Sequence, residues 1–170
     1  MIDSQSIKAT RATGTRGYDA GKKINGRKRH WMVDTLGLLL CVVVPVASIQ
    51  DRDGAKQVFG ECRQQCPTVK LVWGDGGYAG KLVSWTHENC PWTLEIVKRS
   101  DKAAGFQLLP RRWVVERTIS WINNDRRLVK DYECWEETSE AMIHVVMIDA
   151  MLRRLTAKPA SETVQELQAA

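Results

Sequence analysis

Histidine is scarce in this chain. The three present, His30, His87 and His144, stand in unrelated contexts, which leaves little from which to build an imidazole-rich zinc centre. The five cysteines are odd in number and form no Cys-x-x-Cys pair, so neither a disulfide framework nor a zinc ribbon is indicated and a reduced, cytoplasmic setting is expected. Cys62, Cys66, His87 and Cys90 are the one grouping with a metal-like spacing. The strand and helix expected between Cys66 and His87 disfavour their convergence, and ordinary buried thiols are the simpler reading. Long hydrophobic runs are missing as well. The longest, from Leu36 to Ile49, is interrupted by Gly37, Pro45 and Ser48 and is too short to span a bilayer, so no membrane partner is expected. No internal repeat is visible.

What is present is a chain of 170 residues with 44% apolar side chains, enough for a real core and too apolar for a disordered segment. Its charge is unevenly spread. Between Lys8 and Arg29 eight basic residues face a single acid, Asp19, a local excess of seven in a chain whose net charge is +5. The remainder is slightly acidic. Such clustering is the electrostatic footprint of contact with a phosphate backbone.

Residues 2–7 alternate apolar and polar side chains and predict a short strand. Residues 8–28, rich in charge and glycine, read as a mobile basic loop. Residues 29–35 and 38–44 predict two strands joined at Gly37, the second ended by Pro45. A helix is expected over 51–65, capped by Asp51 or Asp53, then a buried strand over 69–73 that runs into Gly74-Asp75-Gly76-Gly77. A short helix over 80–88, a strand over 93–98 and a helix from Pro110 to about Asn124 follow. The apolar segment 138–155 predicts a buried helix, and residues 156–170 a polar, frayed tail. This order implies a mixed α/β sheet in one domain over 1–155.

Three carboxylates could carry chemistry. Asp75 sits at the carboxyl end of a buried strand, where ligand sites of α/β sheets gather, beside glycines that admit a close approach. The competing reading is that it opens a turn or caps the next helix. Glu116 lies on a helix whose polar stripe, at 100° per residue, gathers Arg112, Ser120 and Asn123 within about 40° of it. Val114, Val115, Thr118, Ile119, Trp121 and Ile122 form the opposite face. A solvated polar face is the plain alternative, but Arg112, one turn earlier, is placed to orient the Glu116 carboxylate. Continuing the helix would put Arg127 and Lys130 on the stripe and Asp125 on the apolar face, so a break is expected at Asp125. Asp3 shares one strand face with Gln5 and Ile7. Two aspartates and a glutamate are the oxygen donors that a hard cation takes, and phosphoryl transfer on DNA uses such cations at both the attacking and the leaving oxygen. Tyr78 and the seven tryptophans have a core-packing reading beside one of stacking on unpaired bases.

Several motifs, in order, resemble the catalytic core of bacterial insertion-sequence transposases, specifically the superfamily of insertion sequences four and five. They are Ile2-Asp3-Ser4-Gln5-Ser6, Gly17-Tyr18-Asp19-Ala20-Gly21-Lys22-Lys23, Gly26-Arg27-Lys28-Arg29-His30, Asp34-Thr35-Leu36-Gly37-Leu38-Leu39, Asp51-Arg52-Asp53-Gly54-Ala55, Asp75-Gly76-Gly77-Tyr78-Ala79-Gly80 and Pro110-Arg111-Arg112-Trp113-Val114-Val115-Glu116-Arg117-Thr118. The resemblance implies an RNase H-like mixed sheet flanked by helices and a catalytic triad of Asp3, Asp75 and Glu116, assisted by Arg112. It implies two magnesium ions on that triad, replaceable by manganese, and cleavage of transposon ends followed by strand transfer into target DNA. Lys22, Lys23, Arg27, Lys28, Arg29, Asn123, Arg127 and Lys130 are the DNA contacts it implies. Double-stranded DNA is the expected partner, together with a second copy or full-length transposase, in the cytoplasm at the nucleoid.

The pattern departs from the family at two positions of its Tyr-Arg-Glu-Lys signature, where Leu109 replaces the tyrosine and Asn123 the lysine. An amino-terminal DNA-binding region is expected to be absent, and the first strand is expected to be truncated and to pair poorly. Two alternatives accompany this reading. One is an inactive fragment that binds DNA or intact transposase. The other is a metal-dependent DNA nuclease of the same fold.

Overall fold

The computed structural model describes residues 1–97 and 110–157, with the side chains of residues 110–112 left out. The first strand, β1 (Ile2–Lys8), pairs antiparallel with β3 (Ile24–Val33) over its whole length, from Ile2 opposite Met32 to Lys8 opposite Gly26. The expectation that this strand would pair poorly is therefore corrected. The far edge of β3 carries β2 (Gly17–Asp19) at one end and β4 (Leu39–Val43) at the other. Gly37, at φ 81°, makes the β3–β4 turn, a backbone region that favours glycine. A second sheet of two parallel strands, β5 (Leu71–Gly74) and β6 (Thr93–Ile96), lies on the other side of β1. Gly74 of β5 packs against the Ile2 side chain there. β1 thus runs between β3 and β5, an interior position.

Strand alternation sorts the side chains into two layers. Ile2, Met32, Cys41, Val43, Val72 and Leu94 pack with α1 (Asp51–Gln65) and α2 (Lys81–Asn89), through Ala55, Val58, Phe59, Cys62 and Leu82. Trp31, Val33, Val42 and Val44 pack on the opposite face with α3 (Pro110–Asn123) and α4 (Glu136–Thr156), through Val115, Ile122, Ile143 and Met147. The result is a mixed α/β sandwich with two helices on each face. No helix among the described residues is long and apolar enough to cross a membrane.

Three local expectations change and a fourth holds. Residues 8–28 are not a loop throughout: β2 and the first half of β3 lie within them, and the charged residues of β3 enter the two helical layers. The first turn of α1 is entered from Gln50, and Asp51 and Asp53 lie inside that turn rather than at the cap. The helix over the apolar segment, α4, is buried along one stripe only; Val145, Ile148, Leu152 and Leu155 are exposed. The break at Asp125 is present, since α3 ends at Asn123 and the Asp125 carboxylate accepts a hydrogen bond from the Arg127 N–H at 2.8 Å. Residue 98 of the expected strand and the tail from residue 158 lie outside the described residues.

Candidate active site

Asp3 stands opposite Trp31 in the β1–β3 ladder, so its side chain belongs to the sheet face covered by α3 and α4. Asp75 directly follows β5 in extended backbone. Counting from Val72 in one layer and Trp73 in the other, it falls on that same face. Adjacent strands therefore bring two carboxylates to one side of the sheet. Their closeness is reflected at Tyr78, whose hydroxyl is raised well above its ordinary range by burial, and then by the negative charges of Asp3, Asp51 and Asp75.

The reading of Asp75 as a residue that opens a turn is seen directly. Its carboxylate accepts the Gly77 N–H at 2.8 Å and so caps the single helical turn Gly76–Tyr78. That bond also fixes the side chain at the mouth of the strand end. Asp3 accepts the N–H of Ser4 at 2.7 Å. The Ser4 hydroxyl, on the opposite face, donates to Asp51 at 2.8 Å, and Asp51 is also paired with Lys28 at 3.2 Å. Burial pushes the Asp51 carboxyl up, but the Ser4 hydroxyl and Lys28 outweigh it and hold the group below the usual carboxylate range. The backbone that carries Asp3 is anchored from behind through this chain of contacts.

Glu116 is exposed on α3, with Ser120 and Asn123 also exposed, while Val115, Thr118 and Ile122 are buried. The polar stripe read from the sequence is the solvent edge of α3. Two contacts set where that edge lies. Near its middle, the Thr118 hydroxyl donates to the Gly37 carbonyl at 2.7 Å and Arg117 to the Leu36 carbonyl at 2.9 Å, pinning the helix to the β3–β4 turn. At its end, the Gln5 amide donates to the Asn123 side chain at 3.0 Å. Since that turn lies beyond the Ile2 end of β1, α3 runs in the same direction as β1. Counting back from the Gln5–Asn123 bond, Asp3 lies about 7 Å along the strand and Glu116 about 10 Å along the helix. Glu116 is thus within about one helical turn of the level of Asp3.

These three acids share one face, and their oxygen donors suit a hard cation. Among the described residues, however, no three His, Cys, Asp or Glu side chains gather closely enough to hold a metal ion. The donor chemistry fits a metal and the layer is common to all three. The Arg112 side chain lies outside the described residues.

The basic residues divide sharply. Lys22 and Lys23 are exposed, Lys23 in a left-handed turn at φ 54°, and Arg127 and Lys130 are exposed beyond α3. Arg27, Lys28 and Arg29 are buried, which corrects their expected place at a phosphate. Arg27 donates to the carbonyls of Thr15, Glu133, Cys134 and Trp135 and pairs with Asp131. Lys28 is held between Asp19 and Asp51, each at 3.2 Å. Arg29 is pushed down to about 10 by burial, partly offset by the charge of Asp131. Sequence reasoning missed the anchoring roles of Ser4, Asp51 and Thr118. Only Asp51 carried a signal, as one of two acids opening a helix.

Residues 1–148 match the family model described as "Transposase DDE domain". No curated protein and no solved structure matches the chain.

Proposed function

The chain belongs to the transposase DDE domain family, and from that we propose that it is a catalytic domain that cuts and joins DNA at insertion-sequence ends, on an RNase H-like sheet, within the branch of insertion sequences four and five. The observation that supports this most is the common layer of Asp3 and Asp75, which leave adjoining strands on the face that α3 covers with Glu116 at its edge. The Gln5–Asn123 bond fixes strand and helix in that relation.

Asp3, Asp75 and Glu116 would hold divalent magnesium, or manganese in its place, between them. The bound metal supplies Lewis acidity to the attacking and leaving oxygens of the phosphodiester. The chain's own residues position and shield. Ser4 and Asp51 hold the Asp3 backbone, Thr118 and Gly37 hold the helix of Glu116, and Gly76 and Gly77 leave room for a strand beside Asp75. Arg112 would orient Glu116 or a phosphate, and Lys22 and Lys23 would hold the flanking backbone. Joining two ends calls for a second copy or a full-length partner.

DNA binding without chemistry is the second reading, favoured by Asn123, which stands where the resemblance expects a lysine and is bonded to Gln5. A thermal melt with manganese on the wild type and on Asp75→Asn separates the two, because a ligand that binds the folded state alone raises its apparent stability. Manganese stabilises the wild type and not the variant if the acids assemble, and metal-dependent cleavage of DNA disappears in the variant. Cleavage retained in Asp75→Asn removes that residue from the site. No response in either protein supports binding alone, and hydrolysed ends without joined product support a nuclease.

A further inference from the structure

A basic, aromatic surface is assembled where two segments far apart in sequence are stitched together. The isolated parallel bridge between Ala9 and Asp131 sets Lys8 beside Lys130 and Thr10 beside Tyr132. Thr10 N–H donates to the Asp131 carbonyl at 3.0 Å, and Asp131 N–H to the Lys8 carbonyl at 2.9 Å. Further along, the Thr15 hydroxyl donates to Glu136 at 2.9 Å. Beneath them Arg27 ties the same two segments from inside.

Four acids of these segments are engaged within the fold, while Glu137, in the first turn of α4, is exposed. Asp125 caps the turn Arg126–Leu128, Asp131 pairs with Arg27, Glu133 with Arg127, and Glu136 accepts from Thr15. The cations on the outer surface include Lys8, Arg11, Arg16 and Lys130, all exposed. Among them stand two aromatic rings, Trp135 at 70% exposure and Tyr132 at 40%, the latter with the Arg127 guanidinium over one face at 5.8 Å from its centroid. Cationic side chains around exposed rings are the pattern that holds phosphates and stacks unpaired bases.

A groove of about 340 Å³, bounded by Gln5, Lys8, Asn123 and Val129, runs from the Gln5–Asn123 bond to the near edge of this surface. Lys8 is five residues along β1 from Asp3, about 17 Å of extended strand, or the rise of about five nucleotides of a duplex.

We propose that this surface binds a single DNA strand running from the acidic site along β1, with its phosphates on Lys8, Arg11, Arg16 and Lys130 and unpaired bases on Tyr132 and Trp135. Its direction relative to Asp3 rests on the function proposed above; the binding itself does not. The segment 8–16, alongside the exposed Lys22 and Lys23 and not the buried Arg27–Arg29 run, is then a part of the basic cluster that meets DNA.

The test is fluorescence anisotropy in chelator, with a labelled oligothymidine and a duplex of equal length, across a salt series. Replacing Lys8, Arg11 and Lys130 together by glutamine flattens the salt dependence of oligothymidine binding by about two units of log–log slope. Tyr132→Ala with Trp135→Ala weakens oligothymidine by about fivefold or more per ring and leaves the duplex little changed. The exposed single reversals Lys8→Glu and Lys130→Glu replace the aromatic pair if thermal melting shows that it has lost its fold. Folded variants that bind like the wild type overturn the proposal, and an equal loss on both DNAs overturns its single-strand part. Metal-dependent cleavage by the wild type is scored separately. Binding lost in the variants of a chain that never cleaves sustains the surface and refutes the catalytic reading, and the converse result does the opposite.

Discussion

Arg27 and Asp131 meet at 3.5 Å, 104 residues apart, with neither side chain exposed. The carboxylate also accepts the Ser139 hydroxyl at 3.0 Å and the Glu133 N–H at 2.9 Å, and the guanidinium reaches four backbone carbonyls. Each charge is solvated by the protein in place of water, so removing one leaves the other buried without compensation. Asp131→Ala should destabilise the chain by about 3–5 kcal/mol, read as a lower urea midpoint with an unchanged slope. A loss below about 1 kcal/mol would mean that water reaches the guanidinium and that the pair is in effect a surface contact.

Two glycines of α1 should respond in opposite senses to alanine. Gly54 lies against the His30 imidazole, and a Cβ there would overlap the ring. Neither the buried ring nor the helix backbone has room to retreat, so Gly54→Ala should cost about 1–3 kcal/mol. Gly60 is exposed, with nothing near its would-be Cβ. Gly60→Ala should gain about 0.5–1 kcal/mol through helix propensity. Thermal melting of the two variants checks both signs at once.

The same imidazole should make stability depend on pH. Burial lowers His30 to about 4, with Asp51 opposing and Lys28 and Lys22 reinforcing that shift. The folded pKa lies below the unfolded one, so between them the unfolded chain binds more protons, and stability falls as pH drops from about 6.5 towards 4. The loss is on the order of 3 kcal/mol over that window. Below it, Asp19 and Asp51, both held under the usual carboxylate range, add further loss of the same sign. Urea midpoints at pH 7 and pH 5 should differ in the wild type and differ less in His30→Leu, where the Met1 amino group, lowered to about 6 by burial, still contributes. A wild type equally stable at both values would show that His30 is protonated in the folded chain without penalty.

The contrast between Arg27 and Asp75 shows what could be read from the chain alone. Periodicity and turn residues located nearly every element, because hydrophobic alternation and the 3.6-residue stripe are local properties. Asp75 was legible for the same reason: a buried strand running into glycines is a local pattern. The fate of Arg27, Lys28 and Arg29 was not legible. Their charge predicts solvent, and Asp131, Asp19 and Asp51, brought in by the fold, make the burial of Arg27 and Lys28 tolerable. The strength of β1 was hidden likewise, since seven paired residues on a partner strand outweigh its place at the start of the sequence.

Asn123 stands where the insertion-sequence resemblance expects a lysine, and its side chain is occupied by the Gln5 amide at the exposed end of the groove beside β1. Replacing it by lysine removes one exposed hydrogen bond, worth about 0.5–1.5 kcal/mol, and places a cation about two helical turns from Glu116. If the single strand passes this point, Asn123→Lys should tighten oligothymidine binding and steepen the log–log salt dependence by about 0.7, the contribution of one further neutralised phosphate on a single strand. The weaker hold of α3 on β1 should appear separately, as a small fall in melting temperature that is the same with and without DNA. An unchanged salt slope would mean that the backbone runs elsewhere, and that the asparagine serves the strand–helix contact alone.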